Sequence, residues 1–271
     1  MPTSTTMKRT KTTPTPITDA IAQPPHRRLI VFAYEFMRNA YAAAGIVAVV
    51  AALVGYFLVL RGQTFAGHAL SHVGFSGATG AALIGLAPLQ GMLVATLAGG
   101  VCIGLLGEKL AQRDVAIGIA LSFSLGLGLL FLHFYTSHAT QATALLFGNV
   151  LAVSAHTVHV LLGLGLACLA GLALISRPLL FASLQPELAQ AKGVSLRLYA
   201  SLFMAVAALA TVLSTQVVGV LLVFSLMVGP PAAAQRLTHR VGTGLALSVA
   251  LALGSAWLGI AVAYWTDWPC S

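Results

Sequence analysis

The sequence predicts an all-α integral membrane protein of about eight transmembrane helices. Three observations carry this. Hydrophobic residues make up 58% of the 271 and charged residues only 7%. The charges leave five long uncharged runs, 40–60, 62–107, 115–176, 198–235 and 241–266. Those runs are continuously apolar, whereas the strands of a membrane barrel alternate apolar and polar residues over about ten positions. In lipid the backbone must satisfy its own hydrogen bonds within the segment, so continuous runs mean helices.

A crossing needs about 20 apolar residues, which assigns about one, two, two, two and one helices to the runs. The first run is one helix. The second holds two, parted at 87–91, and the third holds two more around 135–150. The fourth is divided near 214–217, and the last run closes the bundle. Within the fourth run Pro230-Pro231 is expected to kink or end a helix. Gly126/Gly128 and Gly163/Gly165/Gly171 have the small-residue spacing that suits close helix packing in lipid.

The net charge of +8 raises a nucleic-acid reading. The basic residues lie in the tail and short loops, with no soluble domain to carry a binding face, so nucleic acid is excluded as a partner. Positive-inside bias explains them instead. Arg61, Lys109/Arg113, Arg177/Lys192/Arg197 and Arg236/Arg240 fall on one side if the first helix runs outside to inside. Segments 87–91, 135–150 and 214–217 on the other side carry no charge. The basic tail, residues 1–38, contradicts this orientation. It is Thr/Pro-rich with the composition of a disordered segment, so the four concordant loops decide, and residues 39–271 form the membrane domain. Its charges are followed by no signal-peptide core and cleavage site.

Cys102, Cys168 and Cys270 show no paired spacing and are expected to be inert. The six acidic residues, Asp19, Glu35, Glu108, Asp114, Glu187 and Asp267, all fall outside the predicted spans. Ion-coupled carriers ordinarily keep an intramembrane carboxylate. The chain has no Gly-Lys dipeptide and so no phosphate-binding loop. Active transport therefore draws its energy from another polypeptide, and this chain is not expected to be an enzyme. An intramembrane protease is disfavoured further by the lack of a His-Glu-x-x-His motif.

One polarity stands out inside the second run. His68 and His72 lie four apart in Gly67-His68-Ala69-Leu70-Ser71-His72, so at helical pitch both imidazoles share a face. If the helix begins at Arg61, His72 lies roughly 16 Å along it, near the middle of a ~30 Å core. Two readings apply: a metal site within the membrane, or two histidines that merely hydrogen-bond neighbouring helices.

The order of motifs then resembles a family, the membrane (permease) subunit of bacterial ABC importers for zinc, manganese or iron. The resemblance runs from Glu35 to Pro269. It rests on Val59-Leu60-Arg61 before Ala69-Leu70-Ser71-His72, Asp114-Val115-Ala116-Ile117-Gly118-Ile119 and Leu145-Leu146-Phe147-Gly148-Asn149. It continues with Pro186-Glu187-Leu188-Ala189 before Lys192-Gly193-Val194, and Val220-Leu221-Leu222-Val223-Phe224-Ser225-Leu226-Met227-Val228-Gly229-Pro230-Pro231-Ala232. The resemblance implies the cobalamin-permease-like architecture and the bacterial cytoplasmic (inner) membrane. It also implies a second copy of the chain, cytoplasmic ATPase subunits and an extracytoplasmic metal-binding protein as partners, with membrane lipid around them. In this family the acid and histidine of a Gly-Asp-Ala-Leu-Ser-His motif are implicated in binding the metal, and here those positions are His68 and His72.

No cofactor is bound permanently; the ion is cargo. Two copies would present four imidazoles and no carboxylate, a set that suits zinc, copper, iron or nickel better than manganese. The expected cargo is zinc, with manganese or iron as alternatives. Metal must displace any proton from its ligand, so acid is expected to weaken occupancy.

Arg61 is a candidate gate, against the simpler reading of a snorkelling interfacial arginine. His133, His138, His156 and His159 lie at or near the outer segment, either collecting metal or merely interfacial. Loop 176–197 is the candidate ATPase coupling loop: Pro186 and Glu187 can start a short helix containing Ala189, and Gly193 can end it. Relatives commonly place Asp at Gln185, which caps less well. The chain stops soon after Asp267-Trp268-Pro269, where relatives typically continue into another apolar stretch; the final helix is either missing or dispensable. The competing functions are a metal-chelate or cobalamin permease and a stand-alone metal channel or carrier.

Overall fold

The computed structural model describes residues 35–106, 110–134, 146–148 and 150–266. They form α1 (Glu35–Leu60), α2 (Thr64–Leu83), α3 (Pro88–Leu106), α4 (Leu110–Phe134), a 3₁₀ turn (Val150–Ala152), α5 (Ala155–Leu184), α6 (Pro186–Ala191), α7 (Leu196–Val218), α8 (Val220–Leu237) and α9 (Val241–Thr266). The eight longer helices match the one, two, two, two, one assignment. The tail assigned to 1–38 lies outside the described residues as far as position 34; α1 begins inside it, at Glu35. Residues 267–271, and with them the question of a final helix, also lie outside.

Seven of the helices are long and apolar enough to cross a membrane; α2 is long enough but not apolar enough. Its sequence explains why. Four glycines, Ser71, Ser76, Thr79 and the two histidines dilute its apolar residues. A helix of that composition is stable at membrane depth only when protein surrounds it. Accordingly α2 is packed by α3, α4, α7 and α8, and most of its residues are buried.

Small residues set that packing. A Cβ added at Gly77 would overlap Ala95 and sit 2.5 Å from the Gly91 carbonyl oxygen, and one added at Gly91 would overlap Ala81 and the Gly77 carbonyl. Gly77/Ala81 on α2 and Gly91/Ala95 on α3 thus form a reciprocal small-xxx-small crossing. The spacings singled out from sequence divide. Gly128 meets Phe75, Gly165 meets Ile46 and Gly171 meets Val206, whereas Gly126 and Gly163 have nothing within 4 Å.

Helix α1 is the central pillar, in contact with α5, α7, α8 and α9. Its Val47, Val50, Val54 and Phe57 join Phe203, Ala207 and Leu213 of α7 and Met227 of α8 in the main core. Pro230 and Pro231 do not end α8, which continues to Leu237. Met227 loses its helical hydrogen-bond partner because Pro231 has no N–H. Gly55 brings α1 onto that Met227 carbonyl, where any Cβ would collide. The turn from α7 to α8 is the single residue Gly219, at φ +84 and ψ 162, backbone that only glycine readily adopts.

Contacts between helix ends bring the basic segments together. Arg61 Nη1 donates to Ser183 Oγ at 2.9 Å, joining the ends of α1 and α5. Gln235 Nε2 donates to the Tyr56 carbonyl at 2.8 Å, joining α8 to α1. The Tyr56 ring packs on Gly244 at the start of α9, and Gly104 of α3 lies against Ser201 of α7. Arg61, Lys192, Arg197, Arg236 and Arg240 therefore share one end of the bundle, as positive-inside bias requires. Two sequence boundaries move. Arg177 lies within α5 rather than in a loop, and α4 starts before Asp114, placing that carboxylate at the edge of a span.

Candidate metal site

Helix α2 places His68 and His72 as the spacing predicts. Their ring centroids are 4.9 Å apart and the planes are nearly perpendicular, at 82°. His72 is buried, with 7% of its surface exposed, and His68 is partly buried. The intervening turn Gly62–Gln63 is not helical, and α2 starts at Thr64. His72 therefore lies about 12 Å along the helix rather than the larger rise measured from Arg61.

Hydrogen bonding separates these side chains from every other buried polar group described. The hydroxyls of Thr79, Thr96, Thr211, Ser214 and Thr215 each donate to the carbonyl four residues back, and Ser71 Oγ donates to the His68 carbonyl. Among the described residues, the buried side-chain nitrogens and oxygens left without a partner are His68 Nδ1 and His72 Nδ1. Neither histidine is bonded to a neighbouring helix through Nδ1. Burying an unpaired polar group is costly, and the cost is recovered when a ligand engages it.

No group of three or more His, Cys, Asp or Glu able to hold a metal occurs among the described residues. Besides His72, His68 meets Phe224 of α8 at 5.2 Å and 65° and Phe65 of its own helix at 6.2 Å and 38°. Phe65 is 43% exposed, so the pair lies beside an uncovered edge of the single chain. Sequence reading missed both aromatics. Phe224 carries no spacing signal, and only packing of α8 on α2 brings it to His68.

Arg61 sits at the start of the turn leading into α2. Besides Ser183, its Nε donates to Gln63 Oε1 at 3.3 Å, and its guanidinium lies 5.8 Å from the Phe203 ring centroid. Among the described residues, His133, His156 and His159 form no group of three able to hold a metal. His133 stands exposed at the end of α4 beside Phe134. His156 and His159 are exposed in the first turns of α5, with His159 Nδ1 2.7 Å from the Ala155 carbonyl. His138 lies outside the described residues. Cys168 is buried and Cys102 exposed, both unpaired.

The loop expected at 176–197 shrinks to the link between α5 and α7, and it contains the short helix α6 with Pro186 in its first turn and Glu187 beside it. Gln185 makes no side-chain capping bond, in line with its weak capping character. Ala189 is fully buried and anchors the helix, while Lys192 Nζ lies 5.6 Å from the Phe181 ring centroid of α5. Gly193 closes it at φ +80, its N–H donating to the Gln190 carbonyl at 2.9 Å. Glu187 and Leu188 face outward from the basic end of the bundle.

Apolar helices long enough to cross a membrane, with basic loops at one end and a polar helix enclosed among them, are those of a multi-pass membrane protein. The ABC 3 transport family profile matches residues 33–271, and the chain belongs to that family, as a membrane permease subunit of a bacterial metal ABC importer in the inner membrane. It is 32% identical to the manganese transport system membrane protein MntC of Halalkalibacterium halodurans over 231 residues, 85% of this chain and 79% of that one. It is also 32% identical to the manganese import system permease protein ScaB of Streptococcus gordonii, over 85% of this chain and 83% of that one. The solved structure of PsaBC from Streptococcus pneumoniae in complex with Fab superposes with a TM-score of 0.77 at 29% identity, covering 88% of this chain and 86% of that chain. A metal-chelate type ABC transporter in an inward-facing conformation gives a TM-score of 0.64 at 16% identity, which supports the fold alone. MntC and ScaB are named for manganese, so the expected preference for zinc gains no support from them.

Proposed function

We propose that this chain forms the translocation path of an ATP-driven importer for a divalent first-row transition metal, with His68 and His72 as cargo ligands. The observation that carries this is the pair of buried, unpartnered Nδ1 atoms on rings whose centroids are 4.9 Å apart. A second copy completes the site across the edge beside Phe65 and brings the donors to four imidazoles. ATP hydrolysis belongs to separate cytoplasmic subunits that dock on α6 through Glu187 and Leu188, and an extracytoplasmic metal-binding protein delivers the ion. Manganese is the cargo the relatives favour. Zinc is the second reading, favoured by the all-nitrogen donor set.

The test is uptake into liposomes holding the permease, its ATPase and the delivery protein. Radioactive manganese is expected to accumulate only with ATP inside reach of the ATPase; accumulation without ATP overturns the importer reading in favour of a channel. Equimolar zinc is expected to suppress manganese uptake if the imidazoles set selectivity. Uptake unaffected by zinc overturns the second reading and leaves manganese.

Arg61 retains its proposed role at the inner end of the path, and its geometry favours bracing over a purely electrostatic gate. Arg61→Lys keeps the charge but loses the planar fork that reaches Ser183 and Gln63 together. We expect the variant to transport several-fold more slowly, with ATP hydrolysis less tightly tied to uptake. Wild-type uptake by Arg61→Lys returns the charge-gate reading.

A further inference from the structure

We propose that Phe224 is a positioning residue that fixes the ring orientation of His68, in place of the hydrogen-bonded partner that a metal-ligating histidine ordinarily has. The inference rests on the reading of His68 and His72 as cargo ligands. Ligating imidazoles usually donate their second N–H to a carboxylate, carbonyl or water, which sets both tautomer and ring plane. Here Nδ1 of each histidine is buried with no partner, so no bond through that nitrogen orients either ring.

Packing supplies what hydrogen bonding does not. His72 is buried on its own helix, but His68 is partly open and its rotamer depends on its neighbours. Phe65 is three residues away on the same helix and 43% exposed, free to turn with solvent or lipid. Phe224 is partly buried and comes from a different helix, one anchored in the core through Val223, 0% exposed, and Met227, 1% exposed. It meets His68 at 5.2 Å and 65°, within the separation and tilt that edge-to-face rings prefer. With His72 at 4.9 Å as well, the His68 ring is contacted both from its own helix and from α8. A carboxylate at position 68 would have no ring to orient, so the contribution of Phe224 is specific to histidine there.

The test is a double-mutant cycle on the purified full-length chain in lipid nanodiscs, with cobalt(II) as the probe and its visible ligand-field absorption as the readout. Loss of an outer partner typically weakens metal binding about 10–100-fold, and a packing contact constrains less than a hydrogen bond. Phe224→Leu is therefore expected to raise the cobalt Kd roughly fivefold to tenfold in the wild-type background and to alter the absorption envelope. In a His68→Asp background the same substitution is expected to change the Kd by less than about twofold. Phe224→Met, flexible and without a ring, is a second variant read the same way, and elution as wild type in size-exclusion chromatography certifies each fold. An equal loss in both backgrounds, or none in the wild type, overturns the positioning role. Cobalt binding by His68→Ala/His72→Ala as tight as wild type overturns the ligand reading itself, in a comparison that leaves Phe224 untouched.

Discussion

His72→Ala is expected to abolish ATP-driven metal uptake while the protein still inserts, assembles and purifies as wild type. The side chain is 7% exposed, its Nδ1 has no protein partner, and its ring stands 4.9 Å from that of His68. Removing it deletes one of two candidate donors per chain and two of four in a two-copy site. Losing even an outer partner of a metal ligand typically costs 10–100-fold, so loss of the donor itself is expected to reduce uptake by at least about 100-fold. Stability should change little, because the imidazole makes no hydrogen bond through Nδ1 that the fold depends on. Uptake is measured in liposomes, and assembly by size-exclusion chromatography. Normal ATP-dependent uptake by this variant would sink the site assignment.

Gly77→Val is expected to have the largest effect on folding. A Cβ at this position overlaps Ala95 and lies 2.5 Å from the Gly91 carbonyl oxygen, so the obstacle is backbone rather than a side chain that can swing away. Overpacking a core costs typically 1–3 kcal/mol, and a collision of two helix backbones is expected to reach at least about 3 kcal/mol. Helices in lipid associate through close packing rather than a hydrophobic driving force, so prising α3 from α2 loosens the helix that carries both histidines. The matching control is Gly126→Val, where nothing lies within 4 Å and the change should stay within about 0.5 kcal/mol. Thermal unfolding in detergent compares the two. Equal midpoints would remove the Gly77–Gly91 crossing from the account.

Much of the fold was legible because membrane insertion is governed by local composition. Arg61, Glu108, Arg177 and Arg236 punctuate the runs, and the helix count follows from their spacing. The short helix at Pro186 was legible for a similar reason, since Pro, Glu and a closing Gly act through their own backbone and dipole. Pro230-Pro231 misled in part. A helix end there is a local expectation, but α8 carries on to Leu237, with Gly55 leaving room for the Met227 carbonyl that Pro231 cannot pair. Gly126 and Gly163 misled in the same way, since spacing marks what can pack closely and says nothing about which face meets a neighbour.

By itself the sequence determined the class of the protein, the number of its long helices, which helix ends carry the basic residues and the presence of two histidines on one face of the second. Each of these depends on hydropathy, charge or helical pitch, which act over a few residues. Only the tertiary structure decided that α2 is enclosed by α3, α4, α7 and α8, that its histidines find no hydrogen-bond partner through Nδ1, and that Phe224 rests on His68. Residues 68 and 224 are far apart in the chain, and the helix packing that joins them depends on which glycines and alanines face each other across lipid-depth interfaces. A pattern within one helix carries no record of that choice.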